Sequence, residues 1–221
     1  MSEKYFIIDF DSTFTNCEAL DILGEIALDG RADRDERLKK IADITNLGMS
    51  GDYSFAQSLI DRVNLLDAKK SHISELISRL KKRVSVSTIR NKSFFENNAD
   101  NIYIVSSGFK EFIAPVVADY GIAEDHVYAN KFEFDENDNI VSFDSSIPLS
   151  QDGGKVKLME GLNLSGDINV IGDGFTDYEI RQAGLANKFY AFTENVSREK
   201  VVKVADMVVT SFDEIIADNN L

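Results

Sequence analysis

Tyr5-Phe6-Ile7-Ile8-Asp9-Phe10-Asp11-Ser12-Thr13 decides the reading of this chain: four apolar residues in an unbroken run, then two carboxylates separated by one residue. So short an apolar run, without polar alternation, marks a strand buried on both faces, as inside a parallel sheet. Two later stretches repeat the design. Ile102-Tyr103-Ile104-Val105 runs into Ser106-Ser107-Gly108-Phe109, and Ile168-Asn169-Val170-Ile171 runs into Gly172-Asp173-Gly174-Phe175-Thr176-Asp177. Phe189-Tyr190-Ala191-Phe192 and Met207-Val208-Val209 read as further strands, with helical patterns between several of them. This alternation predicts an α/β fold with a Rossmann-like, mainly parallel sheet.

Residues 16–83 break the rhythm. Ala19, Ile22, Leu23, Ile26 and Ala27 share one helical face. Leu38, Ile41, Ala42 and Thr45 form a second, Phe55, Leu59, Val63 and Leu66 a third, and Ile73, Leu76, Ile77, Leu80 and Val84 a fourth. Ser54 and Gln57 have capping-box spacing at the start of the third. Four helices without a strand predict a helical cap domain over 16–83, inserted into an α/β core made of 1–15 and 84–221. Residues 84–100 give no clear period. Residues 131–143 read as a hairpin around the acidic tip 135–139.

Of 221 residues, 43% are hydrophobic, enough for a sizeable core. The net charge of −14, from 38 acidic and 24 basic residues, repels nucleic acid and anionic membranes, so neither is expected as a partner. No apolar run is long enough to span a bilayer, and Met1-Ser2-Glu3-Lys4 lacks the layout of a secretory signal. The single cysteine, Cys17, cannot form an internal disulfide. The expected setting is cytoplasmic. The same negative field repels an anionic metabolite, so any phosphate site must be made positive locally.

Ligands of open parallel sheets bind beyond the carboxyl ends of the strands, where the three polar segments would converge. In the first, Asp9 can attack phosphorus while Asp11 handles the proton; alone, the pair reads equally well as a solvated acidic turn. Asp173 and Asp177, with Asp9 and a main-chain carbonyl near Asp11, make a hard-oxygen set suited to Mg²⁺; alone they form a glycine-containing turn before a capped helix. Ser106, Ser107 and Gly108 offer a hydroxyl and successive N–H groups to phosphate oxygens, or an ordinary helix cap. Lys155, after Asp152-Gly153-Gly154, opens a helix, where a cation opposes the macrodipole by about 0.3–1 kcal/mol unless an anion binds nearby.

Taken in order, Asp9-Phe10-Asp11-Ser12-Thr13, Ser106, Lys155 and the Asp173/Asp177 pair resemble the haloacid-dehalogenase-type phosphatases, and the resemblance spans the chain. Ser106-Ser107-Gly108-Phe109 and Phe55-Ala56-Gln57-Ser58-Leu59 with Arg62-Val63 are similar to the branch of that family that hydrolyses phosphoserine. That resemblance implies a Mg²⁺-dependent phosphomonoester hydrolase acting through an aspartyl-phosphate. It further implies that Glu18 meets the ammonium of L-phosphoserine, that Arg62 holds its carboxylate, and that Phe55 and Met49 form an apolar wall. Thr176, beside the phosphate, stands where the branch usually has Asn, and Ser107 where it usually has Gly.

Two alternatives stay open on the sequence: a phosphatase of another small phosphorylated metabolite, and a receiver-like domain phosphorylated on aspartate. Against the receiver stand the Asp9–Asp11 pair and the long helical insertion. His72, His126 and Cys17 are expected to be non-catalytic, and the chain is expected to act as a monomer or homodimer on a small-molecule substrate.

Overall fold

A computed structural model describes residues 3–50 and 52–221, and the side chains of all of these except residues 49 and 50. Its centre is a six-stranded parallel sheet built from β1 (Lys4–Ile8), β2 (Ile102–Phe109), β3 (Val127–Asn130), β6 (Asp167–Gly172), β7 (Lys188–Phe192) and β8 (Met207–Val209), in the order β3-β2-β1-β6-β7-β8. Between them, β4 (Phe132–Phe134) and β5 (Ile140–Phe143) pair antiparallel as the hairpin read from the sequence. β1 pairs with β2 through Ile8↔Ile104 and with β6 through Ile8↔Ile171. The strand order therefore reverses at β1, and the crevice this opens lies beyond the ends of β1, β2 and β6.

The apolar runs are continuous because both faces of the sheet are covered. Phe6 and Ile8 join one buried cluster, while Ile7 points to the other with Val105, Val170 and Phe189. The second face is covered by α8 (Gly154–Leu162) and α9 (Phe175–Gln182), through Met159 and Ile180.

Between β1 and β2 lie α1 (Ala19–Ala27), α2 (Arg34–Ser50), α3 (Phe55–Leu66) and α4 (Lys70–Leu80), then the short α5 (Val86–Arg90) and α6 (Lys92–Asn97). Leu20, Leu23, Ile41, Leu59, Leu66, Leu76 and Leu80 of α1–α4 are buried in the same cluster as Phe10 and Phe14. Gly24 allows the close approach of α1 and α2: a Cβ there would lie 3.1 Å from Leu38 and 3.2 Å from Ile41.

One sequence assignment shifts. Val84 is not part of the fourth helix, which ends at Leu80; it forms an isolated antiparallel bridge with Thr15. Asn16 N–H donates to Arg83 O at 2.7 Å and Ser85 N–H to Phe14 O at 3.0 Å, so the chain leaves and rejoins the sheet layer at one point. The remaining helices are α7 (Lys110–Val117), α10 (Glu199–Val202) and α11 (Phe212–Asp218). Among the described residues no helix is long and apolar enough to cross a membrane.

Candidate active site

Asp9 directly follows β1. Its N–H still donates to Ile171 O at 3.0 Å, continuing the pairing with β6 by one residue. The chain then leaves in a kinked turn, Phe10–Phe14, extended at Asp11 and left-handed at Ser12, anchored by the buried rings of Phe10 and Phe14. Ser12 takes φ 54°, a left-handed conformation that is costly for a residue with a Cβ. Asn195 holds it there: its Nδ2 donates to Ser12 O at 3.0 Å and to Ser85 Oγ at 2.7 Å. This turn brings Asp9 and Asp11 to one crevice, where both line the same small cavity. Asp11 Oδ1 accepts from Ala19 N–H at 2.8 Å, tying it to the start of α1.

Lys155, in the first turn of α8, is buried between two acids: its Nζ lies 3.0 Å from Asp9 Oδ1 and donates to Asp177 Oδ1 at 2.7 Å. Burial alone would push the ammonium's pKa down, but Asp177 and Asp9 outweigh it and hold Lys155 charged. Asp177, third residue of α9, also accepts from Gly174 N–H at 3.2 Å and so caps its own helix. Asp173 accepts from Thr13 Oγ1 at 3.3 Å and from Arg198 Nε at 3.0 Å.

Ser106, Ser107 and Gly108 line the cavity from the end of β2. They belong to the strand itself, which runs to Phe109, and not to a separate loop. Ser106 Oγ accepts from Gly108 N–H at 3.0 Å, and a Cβ on Gly108 would press on Ile113 at 3.1 Å and on Ser106 Oγ at 3.2 Å.

From the helical segment come Phe55, Leu20 and Arg62, while Thr176 enters from α9. Arg62 is buried on α3, 4% exposed, and its guanidinium donates to Ser58 O at 3.3 Å and Thr45 Oγ1 at 3.4 Å, both long. Glu18 accepts from Ser12 Oγ at 2.7 Å and interacts electrostatically with Arg62. The Met49 side chain lies outside the described residues. The cavity these residues line has a volume of only about 20 Å³.

The electrostatics record too much negative charge in one place. Desolvation first, then Glu18 and Asp9, lifts the Asp11 carboxyl well above its ordinary range. The same order of causes pushes Asp173 up to about 7. Among the described residues no three acids stand close enough together to hold a metal ion. Asp9 and Asp177 are tied to Lys155, and Asp173 to Arg198. The donor chemistry fits Mg²⁺: Asp9, Asp11, Glu18, Asp173 and Asp177 are hard oxygen donors facing three protein cations, and a divalent ion would offset both the burial and the neighbouring acids that raise Asp173.

Sequence reasoning missed Arg198 and Asn195, and gave Thr13, quoted in the first motif, no partner of its own. Arg198 sits in Asn195-Val196-Ser197-Arg198-Glu199-Lys200, which reads as a solvated charged stretch, and only the return of the chain beside β6 gives it a partner. The two histidines are placed away from the chemistry. His72 Nδ1 accepts from Lys69 N–H at 3.2 Å, and His126 stacks on Tyr103 at 4.5 Å.

Comparison with known proteins adds the following. Over 211 residues the chain is 31% identical to phosphoserine phosphatase of Drosophila melanogaster, covering 94% of this chain and 74% of that protein. The crystal structure of a phosphoserine phosphohydrolase-like protein from Francisella tularensis matches with a TM-score of 0.86 and 30% identity, over 97% of this chain and 99% of the other. A structure of a phospho-aspartyl intermediate analogue of phosphoserine phosphatase matches with a TM-score of 0.79 over 99% of each chain; at 22% identity this likeness is one of fold. No family model matches the chain.

Proposed function

Since the chain belongs to the phosphoserine phosphatase family of haloacid-dehalogenase-type hydrolases, we propose that it releases inorganic phosphate from L-phosphoserine with Asp9 as nucleophile. The observation that carries the substrate assignment is Arg62. A buried guanidinium with only long hydrogen bonds faces the same small cavity as Asp9, Lys155 and Ser106. Phosphoserine presents a phosphate, a carboxylate and an ammonium. Lys155 and the N–H groups around Ser107 and Gly108 suit the first, the fork of Arg62 the second and Glu18 the third.

In the proposed reaction an Asp9 carboxylate oxygen bonds to phosphorus in line with the ester oxygen. The bond to that oxygen breaks, and Asp11 gives its proton to the leaving serine hydroxyl. Burial, with Glu18 and Asp9 beside it, raises the Asp11 pKa and so favours the protonated form. Water then attacks phosphorus, Asp11 takes the water's proton, and the bond from Asp9 to phosphorus breaks. Lys155, Ser106 and the main-chain N–H groups hold the equatorial oxygens, where charge is spread. Mg²⁺, with Asp9, Asp173 and the Asp11 carbonyl as its oxygens and Asp177 bracing the set, would supply Lewis-acid charge at the phosphate. The helical segment 16–83 serves as a cap that excludes water and reads the substrate, with Phe55 as an apolar wall and Thr176 beside the phosphate. The single free Cys17 suits a reducing, cytoplasmic setting.

The test is the initial rate of phosphate release, with Mg²⁺, from L-phosphoserine, O-phosphoethanolamine and p-nitrophenyl phosphate. We expect kcat/KM for L-phosphoserine to exceed that for phosphoethanolamine, which lacks the carboxylate, by about 10²-fold. A preference for another ester would end the substrate assignment and leave the chemistry standing.

A further inference from the structure

The cavity of about 20 Å³, lined by Phe55 and Arg62 of α3 among others, is too small for a phosphorylated amino acid, so the site must widen for substrate to enter. Beside it lies a larger cavity of about 310 Å³, lined by Ser54, Phe55, Asp152, Gly153 and Thr176 among others. Phe55 and Thr176 border both, so the larger space is the vestibule of the smaller. At this mouth Asp152 ties the start of α3 to the sheet layer. Asp152 Oδ1 accepts from Phe55 N–H at 2.8 Å and from Ala56 N–H at 3.3 Å, and its Oδ2 accepts from Ser54 Oγ at 3.0 Å.

A helix leaves its first N–H groups without intrahelical partners. In α3, Ser54 Oγ satisfies the Gln57 N–H at 3.3 Å, half of the capping box read from the sequence. The Gln57 side chain does not complete the box; it donates to Asp61 at 2.8 Å. The two N–H groups before Gln57 are instead satisfied by Asp152, which lies 97 residues along the chain from Phe55. Its negative charge also suits the positive end of the α3 dipole. Asp152 is three residues before Lys155, and the intervening backbone is fixed: Gly153 has φ +68°, and Gly154 lies so close to the Pro148 carbonyl that a Cβ would collide with it. The segment that places Lys155 against Asp9 therefore also sets where α3 begins. Asp152 itself is exposed, so its bonds can break and reform with solvent as α3 moves.

We propose that Asp152 is a positioning residue for substrate recognition: by capping α3 from the sheet side it sets Phe55 and Arg62 over the phosphate site when the helices close. This rests on the reading of Arg62 as the carboxylate partner, and the test separates the two. Asp152→Ala and Asp152→Asn are compared with the unaltered protein by amide hydrogen exchange and by steady-state kinetics. In Asp152→Ala, exchange at Phe55 and Ala56 should quicken at least tenfold, and KM for L-phosphoserine should rise about tenfold with kcat within threefold. The rate on p-nitrophenyl phosphate, which has no carboxylate for Arg62, should stay within twofold. Asp152→Asn keeps the oxygen that faces the two N–H groups and should recover most of both effects. Unchanged exchange in Asp152→Ala overturns the proposal, as does an equal loss on both substrates. If the unaltered protein does not prefer L-phosphoserine, the Arg62 reading fails on its own, and the exchange data still decide whether Asp152 holds α3.

Discussion

Arg198 Nε stands 3.0 Å from Asp173 Oδ2, and the two side chains are 16% and 4% exposed. Removing one partner of a buried ion pair leaves the other charge uncompensated, at a cost of about 3 kcal/mol. Arg198→Met should therefore lower the melting temperature markedly in the presence of a chelator. Because Mg²⁺ would supply the missing positive charge, millimolar Mg²⁺ should restore part of the loss. Equal destabilisation with and without Mg²⁺, followed by thermal unfolding, would argue against Asp173 as a metal ligand.

Asp9→Asn should reduce turnover by at least about 10⁴-fold, since an amide cannot attack phosphorus as a carboxylate does. Its fold should persist, because β1 is held by its neighbours β2 and β6 and not by this side chain. Phosphate release alongside circular dichroism checks both halves, and turnover close to the unaltered rate would remove Asp9 as nucleophile.

Arg62→Lys keeps the charge and loses the planar fork. Loss of a bidentate, charge-assisted contact costs about 1.5–3 kcal/mol. We expect KM for L-phosphoserine to rise by one to two orders of magnitude, with kcat changed much less. Saturation curves would show this directly.

Cys17 is half-buried next to Asp11, and burial first, then that acid, pushes its thiol up to about 12. A raised thiol pKa means less thiolate at neutral pH, lower than for an ordinary cysteine by a factor on the order of 10³. Alkylation by iodoacetamide at pH 7.5 should be correspondingly slow in the folded protein and rapid after denaturation. Fast labelling of the native protein would contradict this environment.

Gly154→Ala would drive a methyl group into the Pro148 carbonyl, a backbone atom that cannot turn aside. We expect about 1–3 kcal/mol of destabilisation and a loss of activity, since Lys155 must shift with the helix start. Thermal melts together with phosphate release test the pair of effects.

Most of the sheet was legible because strands buried on both faces write themselves as unbroken apolar runs, Phe6-Ile7-Ile8 and Val170-Ile171 among them, whereas the short edge strand β3 (Val127–Asn130) was not read. The acids beyond them, and Lys155, were legible through their order along the chain. Short helices carry too few turns to show a period, which is why α5 and α6, with Phe94 and Phe95 buried, were not read. Val84 continued an apolar spacing that the backbone had already abandoned at Leu80. Arg198, Asn195 and Asp152 gain their roles from partners distant in sequence, and nothing local to any of them announces it.

The bridge between Thr15 and Val84 gives the molecule a seam. A detour that begins and ends at one hydrogen-bonded spot is pinned there, while its helices share one buried cluster with Phe10 and Phe14. A change of side chain deep among those helices is therefore felt under the turn that carries Asp9.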